Sequence, residues 1–225
     1  MASRRIDYEG PGLGEGEVPD APYPLLQRWV EEAVARDVER GDVPEPTSMA
    51  VATVDADGRP DVRTVLMRFL DPRGPGFVTN LDSAKGDQLR ANPGIAATLT
   101  WPAMFRAVRF RGTAELISRE EVADYFGQRP WGSRISAWAS RQSAPLAHRR
   151  ELEERFAEYA ARWPDRGRPD DVPVPDFWGG VRILADTVEF WAGRRDRLHD
   201  RVRFRRTGPG DLADPGAWSW ERLQP

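Results

Sequence analysis

The chain contains no cysteine. Disulfides, thiolate nucleophiles and cysteine-ligated zinc are excluded together. Histidine is nearly as scarce: His148 and His199 are the whole supply, too few for an ordinary structural metal site. Lysine is rare beside arginine. Long apolar runs are also missing, and none approaches the ~18 residues expected of a membrane-crossing helix. The leading Met1-Ala2-Ser3-Arg4-Arg5 passes into polar sequence rather than a signal-type apolar core. A cytoplasmic location is the simplest expectation. The net charge of −3 gives the molecule no overall pull toward nucleic acid or membrane. There is neither a G-x-G-x-x-G fingerprint nor a strand–helix–strand alternation, which argues against a Rossmann nucleotide domain.

What is present suffices for one sizeable core: 225 residues, 40% of them hydrophobic, with nine tryptophans suited to flat ligands or an interface. Residues 1–24 are rich in glycine and proline and lack periodicity, so they are expected to form a flexible N-terminal arm. Residues 25–225 are expected to form a single domain. Leu25, Leu26, Trp29, Val30, Ala33, Val34 and Val38 recur at helical spacing. Short β-prone runs follow over 49–54, 62–69, 77–79, 95–101 and 105–117, separated by turns such as Asp55-Ala56-Asp57-Gly58. A helix is expected over Ser83–Asn92, another opening at the capping-box pattern Ser118-Arg119-Glu120-Glu121, and a third over Glu151–Arg162. Strands return over 180–184, 188–191, 201–206 and 217–223. Meandering strands with a few helices indicate a mainly β fold with flanking helices (α+β), built on a small barrel.

Several polar clusters stand out. In Arg197-Leu198-His199-Asp200-Arg201, strand alternation would set Arg197, His199 and Arg201 on one face, suited to an anionic small molecule. Arg63 and Arg68 bracket an apolar strand, and their odd spacing points them to opposite faces. Thr79-Asn80-Leu81-Asp82-Ser83-Ala84-Lys85 runs from a strand end into a helix start, where free N–H groups favour an anion. Lys85 in that first turn opposes the helix dipole, a conflict that a bound phosphate removes. Tyr125, Arg129 and Ser133 fall four residues apart across a helix end, three donors able to clamp one phosphate. Ser140-Arg141-Gln142-Ser143 reads as a polar loop. Arg109 and Arg111 share a solvated or interface face, and His148 reads as a surface residue.

In order and together, these segments resemble the pyridoxine/pyridoxamine 5′-phosphate oxidase family. The likeness rests on Arg5-Ile6-Asp7-Tyr8, Arg63-Thr64-Val65-Leu66, Tyr125-Phe126 with Arg129-Pro130 and Ser133, and Ala137-Trp138-Ala139-Ser140 with Gln142-Ser143. It continues through Phe177-Trp178-Gly179-Gly180, Glu189-Phe190-Trp191, Arg197-Leu198-His199-Asp200-Arg201 and Glu221-Arg222-Leu223-Gln224-Pro225. The resemblance implies a Greek-key FMN-binding split β-barrel and a homodimer with FMN at its interface. It assigns the FMN to Arg63, Thr64, Val65, Leu66, Met67, Arg68, Val78, Thr79, Ala84, Lys85, Gln142, Ser143, Trp191 and Arg201. Of these, Arg63 and Lys85 would hold the FMN phosphate, helped by Gln142 and Ser143. It assigns the substrate phosphate to Arg68, Tyr125, Arg129 and Ser133. Arg197 and His199 would lie over the pyridine ring as catalytic residues, with Arg5 and Tyr8 closing the arm as a lid. The implied reaction oxidises pyridoxine 5′-phosphate or pyridoxamine 5′-phosphate to pyridoxal 5′-phosphate. A hydride passes from C4′ to flavin N5, and O2 is consumed to give H2O2, with NH3 released from the amine.

Four positions depart from the family pattern: Arg68 stands for a usual lysine, Val78 for a frequent aromatic, Ala84 for a frequent arginine and Ala107 for a frequent glutamine. Lost charged contacts of this kind weaken cofactor binding by roughly 1–3 kcal/mol when nothing replaces them. They leave two alternatives: a related oxidase of another ring, of the phenazine-biosynthesis type, or a non-catalytic binder of flavin or pyridoxal phosphate.

Overall fold

A computed structural model describes residues 7–225; Arg5, expected to help close the site, lies outside them. Helix α1 (Pro22–Arg40) is followed by β1 (Ser48–Val54), β2 (Pro60–Asp71), β3 (Gly74–Asn80), α2 (Ala84–Ala91), β4 (Gly94–Trp101) and β5 (Arg106–Leu116). Three helices come next, α3 (Arg119–Gln128), α4 (Trp131–Ala139) and α5 (Arg149–Arg162). The chain ends in β6 (Trp178–Ala192), β7 (Asp200–Arg206) and β8 (Trp218–Leu223).

The sheet order is β3-β2-β1-β4-β5-β6-β7-β8, and β3 also pairs with β6, closing β1 to β6 into an antiparallel barrel. Because β4 returns beside β1 rather than beside β3, the first four strands form a Greek key. Alternation works as the sequence suggests. Met49 and Val51 point inward from β1, Val108 and Phe110 from β5, and Val188 and Phe190 from β6; all are fully buried. Leu25, Leu26, Trp29, Val30 and Ala33 of α1 join this core, and Trp29 meets Phe190 edge-on at 5.3 Å, whereas Val34 and Val38, expected in the same stripe, are exposed because the last turns of α1 run past the sheet. A second cluster forms under α3 and α4, where Val122, Phe126 and Ile135 pack with Trp178.

Three expectations need correction. The strands anticipated over 180–184 and 188–191 are one continuous strand, β6, because Ala185-Asp186-Thr187 stays extended instead of turning. Helix α4 was not anticipated: Pro130 breaks α3 and then begins the next helix, since proline's fixed φ suits a helix start as well as it prevents continuation. The segment from Tyr8 to Asp20 is largely irregular, as expected, yet it lies against the barrel. Leu13 is 1% exposed, and its N–H donates to Asp200 Oδ2 at 2.9 Å.

Glycine has a forced role at the start of α2. A Cβ on Gly86 would lie 1.9 Å from the Leu81 carbonyl oxygen, so any side chain drives α2 away from the turn that follows β3. Gly86→Ala is therefore expected to lower unfolding stability by about 1–3 kcal/mol. The shift in a denaturant midpoint measures it, and an unchanged midpoint would show that the backbone relaxes freely there.

Candidate functional site

A β-bulge organises the main cavity. Between β2 and β3 the register runs Met67↔Phe77 and then Phe69↔Gly76, so Arg68 is an extra residue on β2. Bulges interrupt the two-residue alternation and re-aim side chains. Arg63 and Arg68, expected on opposite faces, consequently line one cavity of about 840 Å³. Thr64, Val65, Leu66, Val78, Thr79, Ala84, Lys85, Tyr125, Arg129, Ser133, Gln142 and Ser143 line it as well. Met67 does not: it turns into the barrel core and is 5% exposed.

One end of the cavity is built around Lys85, the only lysine in the chain. It is 7% exposed. Its ammonium donates to Thr79 Oγ1 at 2.5 Å, Gln142 Oε1 at 2.8 Å and Ser83 Oγ at 3.2 Å, all of them neutral acceptors. Burial, and then the neighbouring charge of Arg63, push its pKa down to about 8. Arg63 is held by Thr53 Oγ1 at 2.5 Å, Gln88 Oε1 at 2.7 Å and Asp61 Oδ2 at 2.5 Å. Thr53, Gln88 and Asp61 were not picked out from sequence; Gln88 sits one helical turn after Lys85, the spacing that betrays it. Ser143 closes this end with a φ of 72°, uncommon for a residue with a side chain and frequent at functional sites.

Around Arg129 the cavity has a different character. The residue caps α3, and its guanidinium lies 5.0 Å over the Trp178 ring. Its Nη1 is buried with no hydrogen-bond partner among the described residues. Burial pulls its pKa below the usual arginine value, with Arg68 adding repulsion against the compensating Tyr125. Tyr125 stacks parallel to Trp178 and also meets Phe69 at 5.5 Å. Ser133 stands in the first turn of α4 and Arg68 is exposed at the bulge. An aimed guanidinium with an unsatisfied N–H calls for an anionic acceptor.

The remaining expected site residues gather elsewhere, and none of them lines that cavity. Tyr8, Trp191 and His199 form an aromatic group, with Trp191 and His199 4.8 Å apart and Tyr8 5.4 Å from His199. Arg197 and His199 are not on a strand, which corrects the one-face expectation. Arg195–Arg197 forms a 3-10 turn, and Asp196 and Arg197 both have positive φ, 55° and 62°. β7 starts only at Asp200. The Arg194 N–H donates to His199 Nδ1 at 3.1 Å, so in the neutral ring the proton sits on Nε2. Burial and then Arg197 lower the His199 pKa, which favours the neutral ring. Arg201 pairs across the sheet with Trp191. Its guanidinium is oriented by Glu189, 6% exposed, through bonds of 2.9 and 2.8 Å, and Arg109 bonds the same carboxylate at 2.5 Å. Glu189 belongs to the Glu189-Phe190-Trp191 motif, but nothing local in the sequence signals its orienting role, because Arg109 and Arg201 come from neighbouring strands.

Residues 36–162 match the family model described as pyridoxamine 5′-phosphate oxidase. Residues 178–225 match that of the pyridoxine 5′-phosphate oxidase C-terminal dimerisation region, which supports a homodimer. Over all 225 residues the chain is 44% identical to a pyridoxine/pyridoxamine 5′-phosphate oxidase of Pseudomonas paraeruginosa, covering 98% of it. It is 45% identical to one of Kineococcus radiotolerans, again covering 98%. Among solved structures, PhzG from Burkholderia lata, in complex with tetrahydrophenazine-1-carboxylic acid, gives a TM-score of 0.81 at 30% identity, over 96% of this chain and 99% of that one. An FMN-binding protein of Nostoc punctiforme gives 0.66 at 19% identity, over 87% of this chain and 95% of that one, and supports the fold alone. No helix among the described residues is long and apolar enough to cross a membrane.

FMN is the cofactor of this family, and the cavity suits it. A buried ammonium without a carboxylate partner, beside an arginine, is a fit for a phosphomonoester. With one lysine in the chain, 13C-lysine labelling gives a single side-chain resonance. It should titrate near pH 8 in the free protein and move upward when FMN binds. Since the ammonium form takes the phosphate dianion, FMN affinity should hold between about pH 6, where the phosphomonoester takes up its second proton, and about pH 8, and fall up to tenfold per unit above it; riboflavin affinity should stay flat over that range. A lysine that titrates as in a free peptide, or equal pH profiles for the two flavins, would contradict this. With its two models spanning most of the sequence and full-length relatives at 44–45% identity, the chain belongs to the pyridoxine/pyridoxamine 5′-phosphate oxidase family.

Proposed function

We propose that the protein is an FMN-dependent oxidase that converts pyridoxine 5′-phosphate or pyridoxamine 5′-phosphate to pyridoxal 5′-phosphate, consuming O2 and releasing H2O2, and NH3 from the amine. The observation that carries this is the cavity with two cationic regions, each holding donors that no carboxylate satisfies: Lys85 among neutral acceptors and Arg129 with a free buried Nη1. Two phosphate-bearing molecules bound side by side match that arrangement.

In this proposal Arg63 and Lys85, with Thr79, Gln142 and Ser143, hold the FMN phosphate. Thr64, Val65 and Leu66 flank the flavin ring. FMN, when bound, supplies the two-electron chemistry between the C4′ carbon and O2. Arg68, Tyr125, Arg129 and Ser133 hold the substrate phosphate and fix the ring. Arg197 stays cationic and orients the pyridine electrostatically, while the neutral His199 donates from Nε2 to an oxygen of the ring or relays a proton. Trp191 and Arg201 complete the flavin side, and Tyr8 covers the ring from the N-terminal segment.

Arg197 and His199 reach the cavity in this reading from a second copy of the chain. Trp178, beside Arg129, and Trp191, beside His199, are separated by thirteen strand steps of β6, about 40 Å along the strand. The homodimer supported by the C-terminal match provides the second copy.

Likeness to PhzG, with its phenazine-type ligand, favours a second reading: oxidation of an unphosphorylated ring. That reading gives the Arg129 cluster no work. An aerobic assay of FMN-loaded protein with pyridoxine 5′-phosphate, following aldehyde and peroxide together, separates the two. Equal amounts of both products support the proposal; a yellow protein that forms neither sinks it. Arg129→Ala should raise KM for phosphorylated substrate by about 10–100-fold with little change in kcat, and leave unphosphorylated pyridoxine unaffected. Arg197→Ala should lower kcat by about a hundredfold with FMN retained; loss of FMN instead would place Arg197 on the wrong ligand.

A further inference from the structure

The proposed phosphate clamp draws on two separate elements, the β2 bulge that carries Arg68 and the α3–α4 junction that carries Tyr125, Arg129 and Ser133. We propose that an ion network centred on the buried Arg182 fixes the spacing of these two elements and so sets the selectivity for a phosphorylated substrate; this rests on the reading of the cavity given above.

Arg182 projects from β6 and is 2% exposed. Its Nη1 donates to Asp71 Oδ1 at 2.8 Å and to the Gly74 carbonyl at 2.7 Å, binding the end of β2 to the start of β3. Its Nη2 lies 3.6 Å from Glu121 Oε1 in the first turn of α3 and has no hydrogen-bond partner among the described residues. Arg73 spans the same two carboxylates from the outer side, 2.8 Å from Asp71 and 2.6 Å from Glu121. The Arg182 guanidinium also lies 5.9 Å over the ring of Phe69, the residue after Arg68 in the bulge, and that ring meets Tyr125 at 5.5 Å. One turn separates Glu121 from Tyr125 on the same face of α3. A chain of charge contacts therefore runs from the end of β2 through Asp71, Arg182 and Arg73 to Glu121 and the helix of Tyr125 and Arg129.

None of these four charged residues lines the cavity, so they act only through the residues that do. Arg182 is buried while its carboxylate partners stay partly exposed, and a buried guanidinium with an unsatisfied donor is a poor source of net stability compared with apolar packing. Its geometric demand is strict, and that suits it to positioning. The FMN-phosphate residues are Lys85 on α2, Arg63 near the start of β2 and Thr79 near the end of β3, the last two at the opposite ends of their strands from Asp71 and Gly74, so FMN binding should not depend on the network.

The test uses FMN-loaded wild type, Glu121→Gln, Arg182→Met and Arg182→Lys, with calorimetric binding of pyridoxal 5′-phosphate and of pyridoxal beside kcat and KM. Glu121→Gln, at the half-exposed end of the network, guards against a failure of the buried variants to fold. The proposal predicts that Glu121→Gln and Arg182→Met weaken pyridoxal 5′-phosphate binding and raise KM for phosphorylated substrate, each about tenfold, as displacement of a positioned group does. Pyridoxal binding, FMN affinity and kcat should stay near wild type, and Arg182→Lys should recover part of the loss. Equal weakening of pyridoxal and its phosphate, or no weakening in folded Glu121→Gln, overturns it. A wild type that binds both forms equally well would remove the clamp itself, and the network's role with it; a discriminating wild type with equally discriminating variants removes the network's role alone.

Discussion

Strand β6 is the constraint on which the rest of the molecule depends. Its first residues pair with β3 and close the barrel, while its last pair with β7 and extend the sheet beyond the closure. A closed barrel removes exposed strand edges, but here one strand serves both the barrel and an outer extension. The two ends of β6 consequently carry different chemistry. Trp178 backs the Arg129 cluster, and Trp191 backs the His199 cluster. A single chain keeps these ends apart, which is why a dimer is built into the proposed site rather than added to it.

Electrostatics supplies the second theme. Most ion pairs here lie on the surface and add little stability. The informative charges are those left unpaired or over-determined. Lys85 is buried among neutral oxygens, Arg129 has a buried N–H with no acceptor, and Arg197 sits in a left-handed conformation beside another such residue. Each is costly in the free protein, and strain of this kind persists where the surrounding fold enforces it for function. By contrast Arg201 is fully engaged by Glu189 and the Gln224 carbonyl, so its part is to present an oriented edge rather than a free charge.

Much of this was legible in the sequence. The β5 and β7 spans, the Leu25-Leu26-Trp29-Val30-Ala33 stripe of α1 and the α3 N-cap follow from periodicity and local hydrogen bonding; the Ser118 side chain accepts the Glu121 N–H at 3.2 Å, but the Glu121 carboxylate turns to the Ser118 hydroxyl and Arg73 rather than back to the Ser118 N–H, so the expected capping box is only half formed. The spacing of Tyr125, Arg129 and Ser133 was enough to group them, and the cavity brings them together. What failed was strict alternation wherever the backbone leaves it. The bulge at Arg68 brought two arginines to one cavity, and the 3-10 turn at 195–197 removed Arg197 and His199 from the strand. Helix α4 was hidden because Pro130 reads as a stop and a start alike. The Arg182 network was out of reach, since its partners Asp71 and Glu121 are 111 and 61 positions away (182 − 71 and 182 − 121) and only the barrel closure joins them.

The central claim is that a working site needs the Arg129 cluster of one protomer and the Arg197 cluster of another. Subunit complementation tests it most directly. Arg129→Ala and Arg197→Ala homodimers, each nearly inactive at low substrate concentration, would be mixed under conditions that exchange subunits. If the site is shared, half of the mixed dimers are heterodimers with one intact site of two, so activity should recover to about a quarter of wild type. Activity that stays at the mean of the two parent variants despite proven exchange would place both clusters in the same protomer's site and contradict the account.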